Sequence, residues 1–371
     1  MSSTSSSLSE IKDQERSTLR YSSPQTLARD MSKIVNRKLF SDVHFIVGHE
    51  REKIYGHKCV LSARCEIFHQ LFQTEPNKVS YDLCSVKPLP FVLLLYFLYT
   101  NSIAFDRLNI YEVYDVMRVA DEYKCPELAL LAESQIGILL EADTVFEFLP
   151  ISFRLHKSQL KSAAVDYIEE NSATLLIPGN EDLLSLTPDA LAAVLKSDLL
   201  ELDEMRIVEA ACYWADNFLR KARETCANVE RGNARASIIR IRQSVDESSH
   251  ESADYPTFQG KDSDEPFGNS PIMQVALEGV ASVMANLRLP LIPPNELAEL
   301  EEQQQTAKLI PQECFIKAWR VMTLQSAHLP IDDDEEIKLS ITPRKGTVSR
   351  TTRRKSFASD AFMNARRKAF S

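Results

Sequence analysis

The side chains of this 371-residue chain best suited to nucleophilic, redox or metal chemistry are seven cysteines (59, 65, 84, 125, 212, 226 and 314) and seven histidines. A zinc site needs such residues in C-x-x-C or Cys/His spacing, and no pair here has it. Cys65 and Cys212 fall on apolar stripes, the setting of a buried thiol rather than a reactive one. His57 has no neighbouring nucleophile or carboxylate motif. Asp198 and Glu204 form a carboxylate pair on paper, but helix capping and solvation account for both. The nine glycines include no G-x-G-x-x-G and no G-x-x-x-x-G-K-S/T run, which a phosphate-cradling loop requires. No catalytic, cofactor-binding or metal-ligating residue is therefore assigned, and the chain is expected not to be an enzyme.

The elements that position these residues are clearer. Val43, Phe45 and Val47 alternate as in a half-buried strand. His49 to Lys53 makes a polar turn, and Ile54-Tyr55 begins a return strand. From Lys58 the period turns helical, with Leu61, Cys65, Phe68 and Phe72 on one stripe. The spacing thus predicts a hairpin feeding a helix. Val79 to Leu83 suits a third strand. Pro88 and Pro90 open a helix apolar on all sides from Phe91 to Tyr99, as in a buried core helix. Val113, Val116, Met117 and Ala120 line the next helix, and Cys125-Pro126-Glu127 starts another running to about Leu140. Upstream, Ser23-Pro24 reads as a helix start, followed by a Leu27, Met31 and Ile34 stripe.

The hairpin and its helix resemble the opening of the BTB, or POZ, domain. Ser41-Asp42-Val43, His57-Lys58-x-Val60-Leu61-x-Ala63 and Phe68-x-x-Leu71-Phe72 carry the likeness. Phe97-Leu98-Tyr99-Thr100 and Val119-Ala120-Asp121-Glu122-Tyr123 follow in the family's order. From Glu141 the pattern is helical only. It resembles the BACK domain through Leu160, Tyr167-Ile168, Lys196-Ser197-Asp198-Leu199-Leu200-x-Leu202-x-Glu204, Val208 and Trp214, and later through Asn286-Leu287-Arg288-Leu289-Pro290-Leu291. The expected fold class is α+β: a BTB/POZ domain over 23–140, its small sheet capping a helix cluster, then an all-α BACK-like domain over 141–325.

Three stretches are expected to be disordered. Residues 1–22 are serine-rich and poor in large apolar side chains. A break near 222–270 starts basic and becomes acidic, with seven acids and one lysine between Asp246 and Glu265. Residues 326–371 run from acidic to basic, and 342–371 hold nine Lys/Arg against Asp360 alone. That tail reads as solvated chain folding back on the acidic body, or as a weak electrostatic contact to membrane or nucleic acid. Arg353-Arg354-Lys355-Ser356 also marks Ser356 as a basophilic-kinase site. The longest apolar run has nine residues, far short of the roughly 20 needed to span a bilayer. With no signal-peptide core, the chain is expected to be intracellular, cytoplasmic or nuclear.

The resemblance implies function by association. The Leu27, Met31 and Ile34 stripe either packs on its own domain or, as the resemblance to dimeric BTB members implies, crosses a two-fold axis and places these residues at the interface. Asp42 and Lys58 match positions where such members set opposite charges near the axis. Reversing Lys58 to Glu is then expected to weaken dimerisation. The chain is read as a homodimerising interaction scaffold, with an unidentified protein partner reached through the BACK region or tail. The alternative is a substrate adaptor of a cullin-3 ubiquitin ligase. Many BTB–BACK adaptors contact the cullin through an apolar-x-Glu motif, which falls here on Phe91-Val92-Leu93, so Phe91 and Leu93 are the candidate contacts and Leu93 replaces the acid. No zinc-finger spacing or kelch repeat follows the BACK region.

Overall fold

The computed structural model describes residues 24–230, 270–328, 341 and 344. The three stretches expected to be disordered lie mostly outside them, as does Ser356. The chain divides into two compact units between Leu139 and Leu140.

The first unit opens with α1 (Pro24–Ser32), then strands β1 (Val43–Val47) and β2 (Glu52–Gly56). β1 is central: it pairs antiparallel with β2, Phe45 facing Ile54, and parallel with β3 (Ser80–Leu83), Phe45 facing Tyr81. Alternation in β1 sends Val43, Phe45 and Val47 inward. Gly48 holds the turn after β1 at φ 73°, and a side chain there would press on the Glu50 carboxylate and the Pro88 ring.

The helix expected over Lys58–Phe72 is two helices, α2 (Lys58–Arg64) and α3 (Glu66–Thr74). They break at Cys65, whose backbone is extended and whose thiol donates to the Tyr123 carbonyl at 3.3 Å. The break preserves the stripe, and Leu61, Phe68 and Phe72 all stay buried. Then come α4 (Pro88–Thr100), α5 (Ile110–Glu122) and α6 (Pro126–Leu139). α4 is buried around most of its circumference, as its apolar sequence requires. A capping box between Asn109 and Glu112 starts α5. Phe45, Phe68, Phe91 and Tyr123 interlock as tilted and edge-on rings, with Phe45–Phe91 and Phe68–Tyr123 centroids at 5.1 Å. This ring cluster fastens the sheet to the helices.

The regular elements of the second unit are, among its described residues, all helical. α7 (Val145–Arg154) and α8 (Ser158–Glu170) form a helix pair. A short α9 (Ser172–Leu175) and a 3-10 turn (Asp182–Ser185) lead to α10 (Pro188–Leu195). The long α11 (Glu204–Glu230) follows, then α12 (Pro271–Met284), α13 (Pro294–Ala307) and α14 (Gln312–Ser326). α11 overruns the break expected from residue 222, because Ala222 and Cys226 continue its buried stripe beyond Leu219. α12 packs on both α10 and α11. Gly279 allows the close approach to α10, since a Cβ there would sit 2.9 Å from the Pro188 ring. Trp214 fills the core, stacked on Phe218 at 4.8 Å and donating its indole N–H to the Leu186 carbonyl at 3.0 Å.

Candidate interaction surfaces

His57 and Tyr99, from two of the family-like blocks, meet in the first unit. The His57 backbone N–H donates to the Tyr99 hydroxyl oxygen at 2.8 Å, and His57 Nδ1 lies 2.9 Å from the same oxygen. The single hydroxyl proton is then free to point at Nδ1. Burial pushes the Tyr99 phenol up to about 12, so it keeps that proton. The pair ties the start of α2 to the end of α4, which is structural work. Arg64 reinforces the joint, donating to the Leu98 carbonyl at 3.1 Å and to Asn101 Oδ1 at 2.5 Å.

Burial pushes the Cys212 thiol up to about 12 and Cys314 up to about 11, leaving them protonated at neutral pH. Among the described residues no group of three His, Cys, Asp or Glu side chains is placed to hold a metal ion.

Of the residues expected at a two-fold interface, Asp42 and Lys58 lie at one end of the sheet, just ahead of β1 and just after β2. β1 and β3 both enter there, and Gly56, opposite Val43, leads out of it. α1 packs on α4 of its own unit, yet its Leu27 is 67% exposed. Met31 is half-buried. Ile34 lies beyond the helix, which gives way to hydrogen-bonded turns after Ser32, so the three residues do not form one continuous helical stripe. The sequence reading passed over Leu39 and Phe40, 69% and 83% exposed just ahead of β1. No periodicity marks them, because they sit in an irregular connection.

Asp42 and Lys58 are joined differently from a pair of opposed side chains. The Asp42 carboxylate accepts the backbone N–H of Lys58 at 2.7 Å. The Lys58 ammonium donates to the Pro76 carbonyl at 2.7 Å and lies 5.6 Å from the Phe72 ring centroid. Both residues therefore brace their own chain.

Phe91 is corrected as a partner contact: it is 0% exposed, at the centre of the ring cluster. The inward side of α4 claims the motif's apolar position for the core. Leu93 is half-buried on the same helix.

In the second unit the Lys196–Glu204 block builds a polar cluster. The Ser197 hydroxyl donates to Glu169 and accepts the Leu199 N–H. Arg288, almost wholly buried, donates to Asp198. Glu204, at the start of α11, is 8% exposed and accepts from Arg344 Nε at 2.7 Å. Glu204 is therefore buried rather than solvated, while Asp198, its side chain 39% exposed, pairs with Arg288 at the edge of the cluster. Burial is the larger influence on Glu204 and raises its carboxyl above the ordinary range, against the pull of Arg344. Arg344 itself, expected in a solvated tail, is buried here. Its charge alone gave no signal distinguishing it from the other basic residues of the tail.

Comparison with known proteins agrees with this architecture. A family model of the BTB/POZ domain matches residues 31–136, and one named BTB And C-terminal Kelch (BACK) matches 145–229. BTB/POZ domain-containing protein 19 of Homo sapiens is 31% identical over 323 residues, 86% of this chain and 90% of that protein. Its Bos taurus counterpart is 31% identical over 298 residues, 80% and 84% of the two chains. The solved BTB domain of human gigaxonin is similar to 30% of this chain, at 24% identity and a TM-score of 0.26. With both domain models matched in order, and a relative aligned over nearly all its length, the chain belongs to the BTB/POZ-domain proteins that carry a BACK domain.

Proposed function

We propose that this protein is a non-enzymatic interaction scaffold that homodimerises through its BTB unit. BTB and BACK domains are protein-interaction modules, which marks the chain as a scaffold or adaptor. The observation that carries the finer reading is the exposed apolar group Leu27, Leu39 and Phe40 in α1 and the lead-in to β1. Leu39 and Phe40 are consecutive and both exposed, and such a pair favours a partner where scattered single apolar residues would need no explanation. A second copy of the chain supplies the same surface across a two-fold axis, making an isologous contact. Met31 and Ile34 lie between Leu27 and Leu39 in the chain, and Asp42 and Lys58 complete the proposed interface.

The test is Leu27→Glu with Phe40→Glu, measured by size-exclusion chromatography with light scattering. Both side chains are exposed in the single chain, so the fold should survive while the mass halves. An unchanged dimer mass in this variant overturns the assignment of the surface. Lys58→Glu is a poorer test than expected, because it also strips the Pro76 carbonyl of its donor. Adding the N-terminal half of cullin 3 to the wild-type chain tests the adaptor role: a stable complex would make the scaffold an adaptor.

A further inference from the structure

Arg344 occupies a site assembled from three parts of the second unit. Its Nη1 donates to the carbonyl of Leu195 at 2.8 Å and also to that of Ser197, while Nε donates to Glu204. Leu195 is the last residue of α10, so its carbonyl is one of those a helix leaves unpaired, at the negative end of the dipole. Asp198 and the Arg288 guanidinium lie beside this group. The cation–acceptor set is a built guanidinium socket: one carboxylate and two carbonyls converge on a side chain 3% exposed. A lysine's single ammonium could not reach all three in the same planar arrangement.

The fit is nevertheless incomplete. Glu204 Oε2 and Arg344 Nη2 are both buried without a hydrogen-bond partner. The guanidinium meets the carboxylate through one nitrogen, whereas a fork-to-fork approach would satisfy both orphan atoms. Arg344 is thus an occupant that leaves part of the socket's bonding capacity unused. It is held by a covalent tether, which supplies an effective concentration on the order of millimolar whatever the quality of fit.

We propose that this cluster is an arginine-recognition site of the BACK unit, filled in cis by Arg344 and open to an arginine-bearing peptide of a partner protein that displaces it. The reading stands independently of dimerisation. Partner capture and release of the C-terminal segment are then one competition for Glu204 and the two carbonyls.

The experiment uses the full chain carrying Arg344→Ala and a fluorescent peptide with the sequence of residues 338–348. By anisotropy, the peptide binds this variant at least tenfold more tightly than wild type, whose socket is filled. The same peptide with lysine replacing arginine loses at least tenfold. Equal binding to variant and wild type, or equal binding of the two peptides, overturns the proposal. Should Arg344→Ala fail to fold, Glu204→Gln supplies a second readout with Arg344 intact. Tryptic cleavage between Arg344 and Lys345 accelerates at least tenfold in that variant, and an unchanged cleavage rate overturns the proposal equally.

Discussion

At the residue scale, Tyr99 shows how a family-like motif converts into stability. Its hydroxyl accepts one buried N–H and faces one buried imidazole nitrogen. Tyr99→Phe leaves both without that partner, and an unmet buried polar group costs about 1–3 kcal/mol. Urea denaturation should show a loss of that size. Cysteine reactivity gives a second residue-level check. Cys84 is exposed, whereas burial holds Cys212 and Cys314 protonated. Thiol alkylation at pH 8 in the folded chain should modify Cys84 faster than the other two, and modification of Cys212 at a comparable rate would contradict its being held protonated. Residue identities at motif positions were legible in the sequence, because His57, Tyr99, Asp198 and Arg288 sit in recognisable blocks. Their bonding was not. Asp42 and Lys58 looked like opposed charges, yet the contact runs from carboxylate to backbone, a choice that only the turn geometry fixes.

At the element scale, periodicity carried the strands and helices wherever burial repeats regularly. β1 and the all-apolar α4 follow directly from their patterns. The division of α2 from α3 was hidden, because the kink at Cys65 keeps Leu61, Phe68 and Phe72 in phase as an unbroken helix would. α11 extended further than composition suggested, because a charged outer face concealed the buried Ala222 and Cys226. The contact between α10 and α12 depends on a missing side chain. Gly279→Val would force branched carbons against Pro188, 2.9 Å from even the first of them. Overpacking of this kind costs about 1–3 kcal/mol. The thermal midpoint of the variant should fall accordingly, and an unchanged midpoint would mean that the two helices can separate freely.

At the scale of the whole molecule, the chain joins two protein-interaction domains in sequence. The order BTB then BACK was legible because each domain is marked by several blocks in sequence. The candidate interface was legible only in part: α1 and Leu27 follow from the stripe, but Leu39 and Phe40 lie in an irregular connection that no period can flag. The socket for Arg344 was the least visible feature, since it joins residues 140 apart in sequence. Among the described residues, no helix is long and apolar enough to cross a membrane.

Homodimerisation is most directly tested by the mass of the full wild-type chain, taken by light scattering across a micromolar concentration series. A mass twice the 42.0 kDa of one chain, persisting on dilution, is the predicted result. A mass of one chain throughout the series would contradict the scaffold built on a BTB two-fold.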